Sequence, residues 1–383
     1  MNVLYVIDSL APGGAERSLV TLVPALVRRD VTAAVAIVHR DRSLAGALTA
    51  HGIEIVECGG HGRRRAVRRL RDEVRRRRPD VVHTTLYEAD QTGRVAASSC
   101  RVPVVSTLAN LAYGPEQLRN PALKPWKVRA AQAVDIATSR AVRRFHAVSE
   151  TVAVTMARRL LVRRDRIDVV PRGRDAVALG ARSAARATKT RATLGLAPDA
   201  PLLATVARHE YQKGLDVVLD ALGHIVAARP GAVLLLVGRT GNETAALEAQ
   251  ITRLGLGSNV RVLGARDDVA DILATADAVV VPSRWEGFSN VIVEAMALGA
   301  PIVASDIASV REAVDASTAV LVPPDRPAAL AAAVEGVLDD RAAAAKRAVL
   351  AHERFASRYE LDAVAAQMLA FYERALGMPV SSS

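Results

Sequence analysis

The sequence predicts an α/β protein made of two doubly wound parallel halves. Short β-branched runs alternate with helix-length amphipathic segments. This alternation occurs twice, with a connector at 172–200 between the two series. Several runs, such as 279–281, are apolar at every position, as expected of parallel strands covered on both faces. At 383 residues the chain is long for one domain and comfortable for two.

In the first half, strands are expected at 2–7, 32–38, 53–58, 81–84, 102–107, 146–148 and 167–171. A loop at 9–14, containing Gly13 and Gly14, leads into a helix over 15–29. The helix expected at 63–78 holds ten arginines, with Val67, Leu70 and Val74 as a narrow apolar stripe. Residues 110–127 carry Gly114, Pro115, Pro121 and Pro125 with little periodicity, which predicts a long loop. The second half gives strands at 202–206, 232–237, 260–263, 278–281, 302–304 and 319–322. One amphipathic helix is expected at about 354–376, its apolar side formed by Phe355, Tyr359, Leu361, Val364, Met368, Phe371 and Tyr372.

Hydrophobic residues make up 50% of the chain and charged residues 24%, which excludes a disordered protein. Cys58 and Cys100 offer neither a disulfide framework nor metal-ligand spacing and fit a reducing compartment. A basic leader, a cleavage site and an apolar run of about 20 residues are all lacking, so a cytoplasmic protein is expected, with at most peripheral membrane contact. The charge is uneven. Residues 1–175 hold 31 Lys+Arg against 17 Asp+Glu, whereas 176–383 hold 20 against 23. A zinc finger, a basic zipper and an aromatic-rich face are all absent beside the basic patch, which argues against nucleic acid.

The stretch ADAVVVPSRWEGFSNVIVEAMALGAPIVASD, residues 276–306, reads as strand, loop, helix, turn, strand. Pro282 and Gly287 break the strand, and Ser289 or Asn290 can cap a helix carrying Val291, Ile292, Ala295, Met296 and Leu298. Gly299 and Pro301 stop that helix. A helix N-terminus at the carboxyl end of a parallel strand is a prepared anion site. Glu286 lies in the loop before it and Glu294 one turn inside. Such a layout fits a diphosphate flanked by two polyols, as in a nucleotide-sugar. In LLATVARHEYQKGLDVVLDAL, Arg208 and Lys213 stand five apart in another loop at a strand's carboxyl end. Two cations there would neutralise a leaving diphosphate.

The 276–306 stretch closely resembles the E-x7-E region of retaining glycosyltransferases of family 4, which have the GT-B fold. LAPGGAERSLVTLVPAL is similar to the glycine loop that opens the family's N-terminal domain. VARHEYQKG resembles its donor-phosphate pattern of Arg and Lys-Gly, with Ala207 where Gly is usual. LLLVGRTGNE, with Gly238 at its turn, and RVLGARDDVADILATADAVVVPS resemble the intervening segments.

The resemblance implies two Rossmann-like domains facing across a cleft. Residues 1–171 would form the acceptor side and 172–353 the nucleotide-sugar-binding side. Residues 354–383 would return a final helix to the N-terminal domain and end in a tail. The implied reaction moves a hexose or N-acetylhexosamine from a UDP- or GDP-sugar to an acceptor hydroxyl, with retention. No cofactor or metal is expected, because a DxD-like motif is missing at the donor loop. Arg208, Lys213 and helix amides near Asn290 and Val291 would stabilise the leaving diphosphate. Glu286 would orient sugar hydroxyls and Glu294 the ribose. Gly13, Gly14, Gly238, Gly287, Phe288, Ser289 and the backbone around Leu263 would complete the donor pocket. His83, Asn110 and Trp126 are the acceptor-side candidates. Here the chain departs from the family pattern: Ala109 and Thr85 stand where histidines are frequent, and Arg172-Gly173 replaces Asn-Gly. The basic N-terminal half, with Leu123, Lys124, Trp126 and Lys127 in the 110–127 segment, suits an anionic membrane surface and a polyprenyl-linked or cell-envelope acceptor. The alternatives are a non-catalytic nucleotide-sugar-binding or scaffold protein, and a GT-B nucleotide-sugar epimerase.

Overall fold

A computed structural model describes residues 1–59, 62–118 and 123–379. The chain divides into two compact units, Met1–Gly173 with Leu361–Ser383, and Arg174–Glu360. The first unit contains β1 (Asn2–Ile7), β2 (Thr32–Ile37), β3 (Glu54–Glu57), β4 (Val81–Thr85), β5 (Val104–Leu108), β6 (Arg144–Ala147) and β7 (Ile167–Val169). They form one parallel sheet in the order β3-β2-β1-β4-β5-β6-β7. The second unit contains β8 (Leu202–Val206), β9 (Val233–Val237), β10 (Val260–Gly264), β11 (Ala278–Val281), β12 (Ile302–Ser305) and β13 (Val320–Val322). Their parallel order is β10-β9-β8-β11-β12-β13. Every predicted strand is present, its ends within two residues of expectation. Both sheets reverse strand order once, between β1 and β4 and between β8 and β11. Ligands of open parallel sheets bind at such switch points, beyond the strands' carboxyl ends.

The C-terminal segment corrects the sequence reading. It is two helices, Arg341–Arg358 and Leu361–Leu376. Phe355 and Tyr359 pack into a core of the second unit, whereas Leu361, Val364, Met368, Phe371 and Tyr372 pack into the first. One straight helix cannot serve both cores, so it breaks at Tyr359–Glu360, and Glu360 pairs in a parallel bridge with Arg174. The units therefore divide after Gly173 and Glu360, not after 171 and 353. The expected loop at 110–127 also holds structure. Residues 115–118 are helical, and Pro125 occupies the first turn of the helix Pro125–Ser139. Its stretch 119–122 lies outside the described residues. In the arginine-rich helix, Arg63–Arg77, the buried stripe is Ala66, Leu70 and Val74, with Ala66 in place of Val67.

A buried polar chain pins the last helix to the first sheet. His83 Nδ1 lies 2.6 Å from Tyr372 Oη, and His83 Nε2 lies 2.7 Å from Thr107 Oγ1. Thr107 Oγ1 is 3.1 Å from His146 Nδ1, and His146 Nε2 is 2.8 Å from the Val170 carbonyl. The carbonyl sets the hydrogen order. His146 Nε2 must donate to it, so Nδ1 accepts from Thr107, Thr107 accepts from His83 Nε2, and Tyr372 donates to His83 Nδ1. Tyr5 lies next, 3.0 Å from Tyr372 Oη. The order requires both imidazoles to be neutral. Burial, the leading cause in each, pushes His83 well below its ordinary value and His146 down to about 4.

Beside this chain, Arg94 is 1% exposed and holds Asp135, Asp90 and Ser106. Tyr113 Oη donates to Asp135 at 2.8 Å, which fastens the segment after β5 to the same cluster. Burial pushes the Asp90 carboxyl up to about 7.

A histidine whose folded value is depressed stabilises the fold above its unfolded pKa of about 6.5, and that contribution is lost as pH falls toward about 4. The stability gap between wild type and His146→Gln should therefore narrow between pH 6.5 and 4.5, by about 1.4 kcal/mol per pH unit at most. Paired urea unfolding across that range measures it. The opposing titration of Asp90 is common to both proteins and cancels. A gap independent of pH would contradict a neutral His146.

Candidate active site

At the switch point of the second sheet the strands part early. The β8–β11 ladder pairs Ala278 with Leu203 and Val279 with Ala204. Beyond it, Thr205 Oγ1 donates to the Val280 carbonyl at 3.0 Å, so a side chain takes over from the ladder where the crevice opens. The loops after β8 and β11 flank this crevice, and they carry Arg208, Lys213 and Glu286.

These loops are bonded to each other at several points. Lys213 Nζ lies 2.6 Å from Glu286 Oε1, which also accepts from Ser283 Oγ at 2.8 Å. Gln212 Nε2 donates to the Trp285 carbonyl at 2.7 Å, and the Arg284 amide donates to the Gln212 carbonyl at 2.8 Å. The Arg284 guanidinium lies 4.1 Å from the Tyr211 ring centroid and forks onto Asp216 with contacts of 2.9 and 2.6 Å. Lys213 ends a single 3₁₀ turn, and Gly214 follows at φ +60°. A Cβ on Gly214 would stand 2.2 Å from the Pro282 carbonyl oxygen, so only glycine permits this approach.

Glu286 is 5% exposed, yet both its oxygens have donors in range: Lys213 and Ser283 on Oε1, and Gln212 at 3.5 Å on Oε2. Arg208 differs. Its side chain is 45% exposed and its ion pair to Glu210 is 3.9 Å long, leaving the guanidinium available to a ligand.

Most of the remaining donor-pocket candidates lie at or just beyond the same sheet's carboxyl ends. Ser289 is the N-cap of the helix Asn290–Leu298, its hydroxyl accepting from Ile292 at 3.4 Å. Gly287 and Phe288 precede it, and Phe288 packs edge-on against Tyr359 at 6.0 Å. Val291 lies against the core formed by β11 and β12. Glu294 sits one turn into the helix and accepts from Arg174 Nε at 2.7 Å. Gly238 ends β9 at φ +149°, where a Cβ would meet the Ala207 carbonyl oxygen at 1.9 Å. That contact brings the loop after β9 against the loop after β8. Register shifts between Val262 and Gly264, so Leu263 is a bulge at the end of an edge strand.

The acceptor-side candidates scatter within the first unit. His83 is 3% exposed with both ring nitrogens engaged in the polar chain, and it borders a cavity of about 50 Å³ with Thr85, Thr107 and Arg172. Asn110 is exposed just past β5, and Trp126 is 65% exposed in the first turn of Pro125–Ser139. Two donor-pocket candidates, Gly13 and Gly14, lie in this first unit as well, where Gly13 caps the helix Gly14–Val27 without a side-chain bond.

Three features escaped the sequence reading. Arg174 carried no signal beyond its place after the departure at Arg172-Gly173. Arg284 stood inside the quoted motif, but its fourfold anchoring needs Tyr211, Asp216 and Asp325 from distant positions. Asp8 follows β1, and Oδ1 accepts the Ala89 amide at 2.6 Å in the first turn of the helix Tyr87–Ser99. Burial pushes its carboxyl up to about 6 against that stabilising bond.

Removing the lysine strands Glu286 in a nearly dry site. Lys213→Met should cost about 2–3 kcal/mol, below the range for fully buried pairs because Lys213 is one-fifth exposed. Adding Glu286→Gln should recover most of it. Urea denaturation of the single and double variants checks this, and a cost unchanged in the double variant would contradict it.

Residues 12–177 match the family described as Glycosyltransferase Family 4, and residues 200–340 that described as Glycosyl transferases group 1. A D-inositol 3-phosphate glycosyltransferase of Xylanimonas cellulosilytica is 34% identical over 310 residues, 77% of this chain and 72% of its own. The phosphatidyl-myo-inositol mannosyltransferase of Mycolicibacterium smegmatis is 37% identical over 172 residues, 44% of this chain and 43% of its own. Anabaena Alr3699/HepE in complex with UDP-glucose has a TM-score of 0.86 at 26% identity, covering 98% of this chain and 100% of that one. Sucrose-phosphate synthase of Thermosynechococcus elongatus is alike in fold, with a TM-score of 0.84 at 20% identity, covering 98% of this chain and 100% of that one. Two parallel sheets, a cation-and-carboxylate switch point on the second, and relatives that share most of the chain lead to one conclusion: the chain belongs to the family 4 glycosyltransferases and is a glycosyltransferase of the GT-B fold.

Proposed function

We propose that this glycosyltransferase moves a hexose or N-acetylhexosamine from a nucleoside diphosphate sugar to an acceptor hydroxyl, with retention at the anomeric carbon. The observation that carries this reading is the grouping of Arg208, Lys213 and Glu286 at the second sheet's switch point, on the same sheet as the helix N-terminus at Ser289. A uridine diphosphate donor is favoured over a guanosine one, because the similar Anabaena protein is described in complex with UDP-glucose.

The bond from the anomeric carbon to the diphosphate oxygen breaks, and the oxygen takes the electron pair. Lys213 has three N–H donors, one of them on Glu286, and the others can meet phosphate oxygens. Arg208 and the first-turn amides at Asn290 and Val291 add positive charge where the negative charge grows. With this counter-charge supplied by the chain, transfer is proposed to proceed without a metal ion. Glu286 Oε2, held by one long contact, accepts sugar hydroxyls. The acceptor oxygen attacks the same face and passes its proton to the departing phosphate, so a side-chain base is not required.

The acceptor is proposed to be lipid-linked and met at an anionic bilayer from the cytoplasmic side, by peripheral association. Among the described residues no helix is long and apolar enough to cross a membrane. Exposed Trp126 is flanked by Lys124, Lys127 and Arg129, and Arg64, Arg65, Arg68 and Arg75 are exposed on Arg63–Arg77.

Arg208→Ala should weaken UDP binding by about 1.5–3 kcal/mol, some 10- to 150-fold, and leave the melting temperature unchanged. Calorimetric titration beside thermal unfolding tests it, and undiminished affinity would remove Arg208 from the site. Turnover of UDP-sugars by wild type separates an enzyme from a binding protein. Co-sedimentation with phosphatidylglycerol liposomes should be strong in low salt and fall as salt rises. Equal, negligible binding to anionic and neutral liposomes would leave a soluble acceptor.

A further inference from the structure

Arg174 opens the second unit and is 6% exposed. Its main chain is fixed: the amide donates to the Tyr359 carbonyl at 2.9 Å, and the residue bridges to Glu360. The next residue, Asp175, caps the helix Ala176–Leu179 through the Ala178 amide at 2.9 Å. The guanidinium therefore starts from a rigid base. Its Nε donates to Glu294 Oε1 at 2.7 Å, between side chains that are 7% and 17% exposed. Glu294 is equally well placed, on a helix with a bonded cap at Ser289 and a left-handed stop at Gly299. Two rigid elements thus meet through one charge-assisted bond.

We propose that Arg174 is a positioning residue for the donor: by engaging Oε1 it aims the Glu294 carboxylate so that Oε2 accepts from the ribose hydroxyls of the bound nucleotide. The inference rests on the proposed nucleotide-sugar donor and on the ribose role that the family resemblance implies for Glu294, and adds what holds that carboxylate there. A carboxylate has room for about four hydrogen bonds, so one guanidinium bond leaves capacity for a vicinal diol. An unrestrained glutamate would lose side-chain freedom on binding, whereas one already held by a planar guanidinium has lost it beforehand. Enclosure makes this specific, because a carboxylate so little exposed has few other donors to turn to.

The test compares UDP with 2′,3′-dideoxy-UDP by calorimetric titration of the full chain. Wild type should prefer UDP by about tenfold or more, the worth of a hydrogen bond to a charged acceptor. Arg174→Met should raise the dissociation constant for UDP about tenfold, leave that for the dideoxy nucleotide nearly unchanged, and so erase the preference. Glu294→Gln should behave alike, and Arg174→Lys should restore part of the preference. Equal weakening of both nucleotides in Arg174→Met would mean a merely structural role and overturn the inference, as would a preference retained in full. Should the methionine variant fail to fold, Arg174→Lys carries the decision: a preference identical to wild type overturns the proposal, and a reduced one supports it. A wild type that binds UDP without regard to the ribose hydroxyls overturns this inference and leaves glycosyl transfer standing. A wild type that binds neither UDP nor GDP removes the donor-site reading itself.

Discussion

The bond between Lys213 and Glu286 is the contact on which the second unit's site depends. It joins the two loops that flank the switch point and gives a carboxylate a charged partner in a nearly dry place. Everything around it keeps those loops at the distance the bond requires. Gly214 allows its backbone to touch the Pro282 carbonyl, the Gln212 side chain and the Arg284 amide each donate to a carbonyl of the facing loop, and Arg284 is braced by a ring and by carboxylates. The site is thus preorganised before any ligand arrives, and electrostatic stabilisation of a leaving group depends on that condition.

The two sheets have related winding but treat their switch points oppositely. In the first, the carboxylate of Asp8 already occupies the amides at the start of Tyr87–Ser99, so an incoming phosphate would find an anion in its place. Leu86, just before that helix, sits at φ +76° and ψ 162°, a conformation that costs an L residue of the order of 1–3 kcal/mol. In the second, the helix start is capped by the neutral hydroxyl of Ser289, and cations stand in the adjoining loops. The first unit is the more basic overall, yet the second is the one proposed here to receive a diphosphate. On that proposal, local arrangement rather than net charge selects where the anion goes.

Much of this was legible in the sequence, because parallel strands covered on both faces announce themselves as short β-branched runs. The helix Asn290–Leu298, with Ser289 before it and Gly299 after it, was readable from cap chemistry alone. What stayed hidden depended on partners far apart in the chain. The apolar spacing of Phe355 to Tyr372 runs smoothly through the break at Tyr359–Glu360, since both halves bury an apolar side, though in different cores. Pro125 read as a loop breaker but is a first-turn proline, a distinction that the missing periodicity around it concealed. His83 kept its family position, but nothing local could reveal that Tyr372 and Thr107 would claim its two nitrogens.

Because the first unit is interrupted by the second, its assembly is tied to the order of synthesis. The residues of its sheet leave the ribosome early, but Met368, Phe371 and Tyr372, which cover that sheet and close its polar chain, come last. At about 5–20 residues per second, the intervening Arg174–Glu360 takes roughly ten to forty seconds to translate. Through that interval the face around His83 lacks its permanent cover, while the second unit, continuous in sequence, can complete its own core. The first unit to begin is the last to finish, and a chain truncated before Leu361 would retain the second unit's sheet intact and a first sheet without its cover.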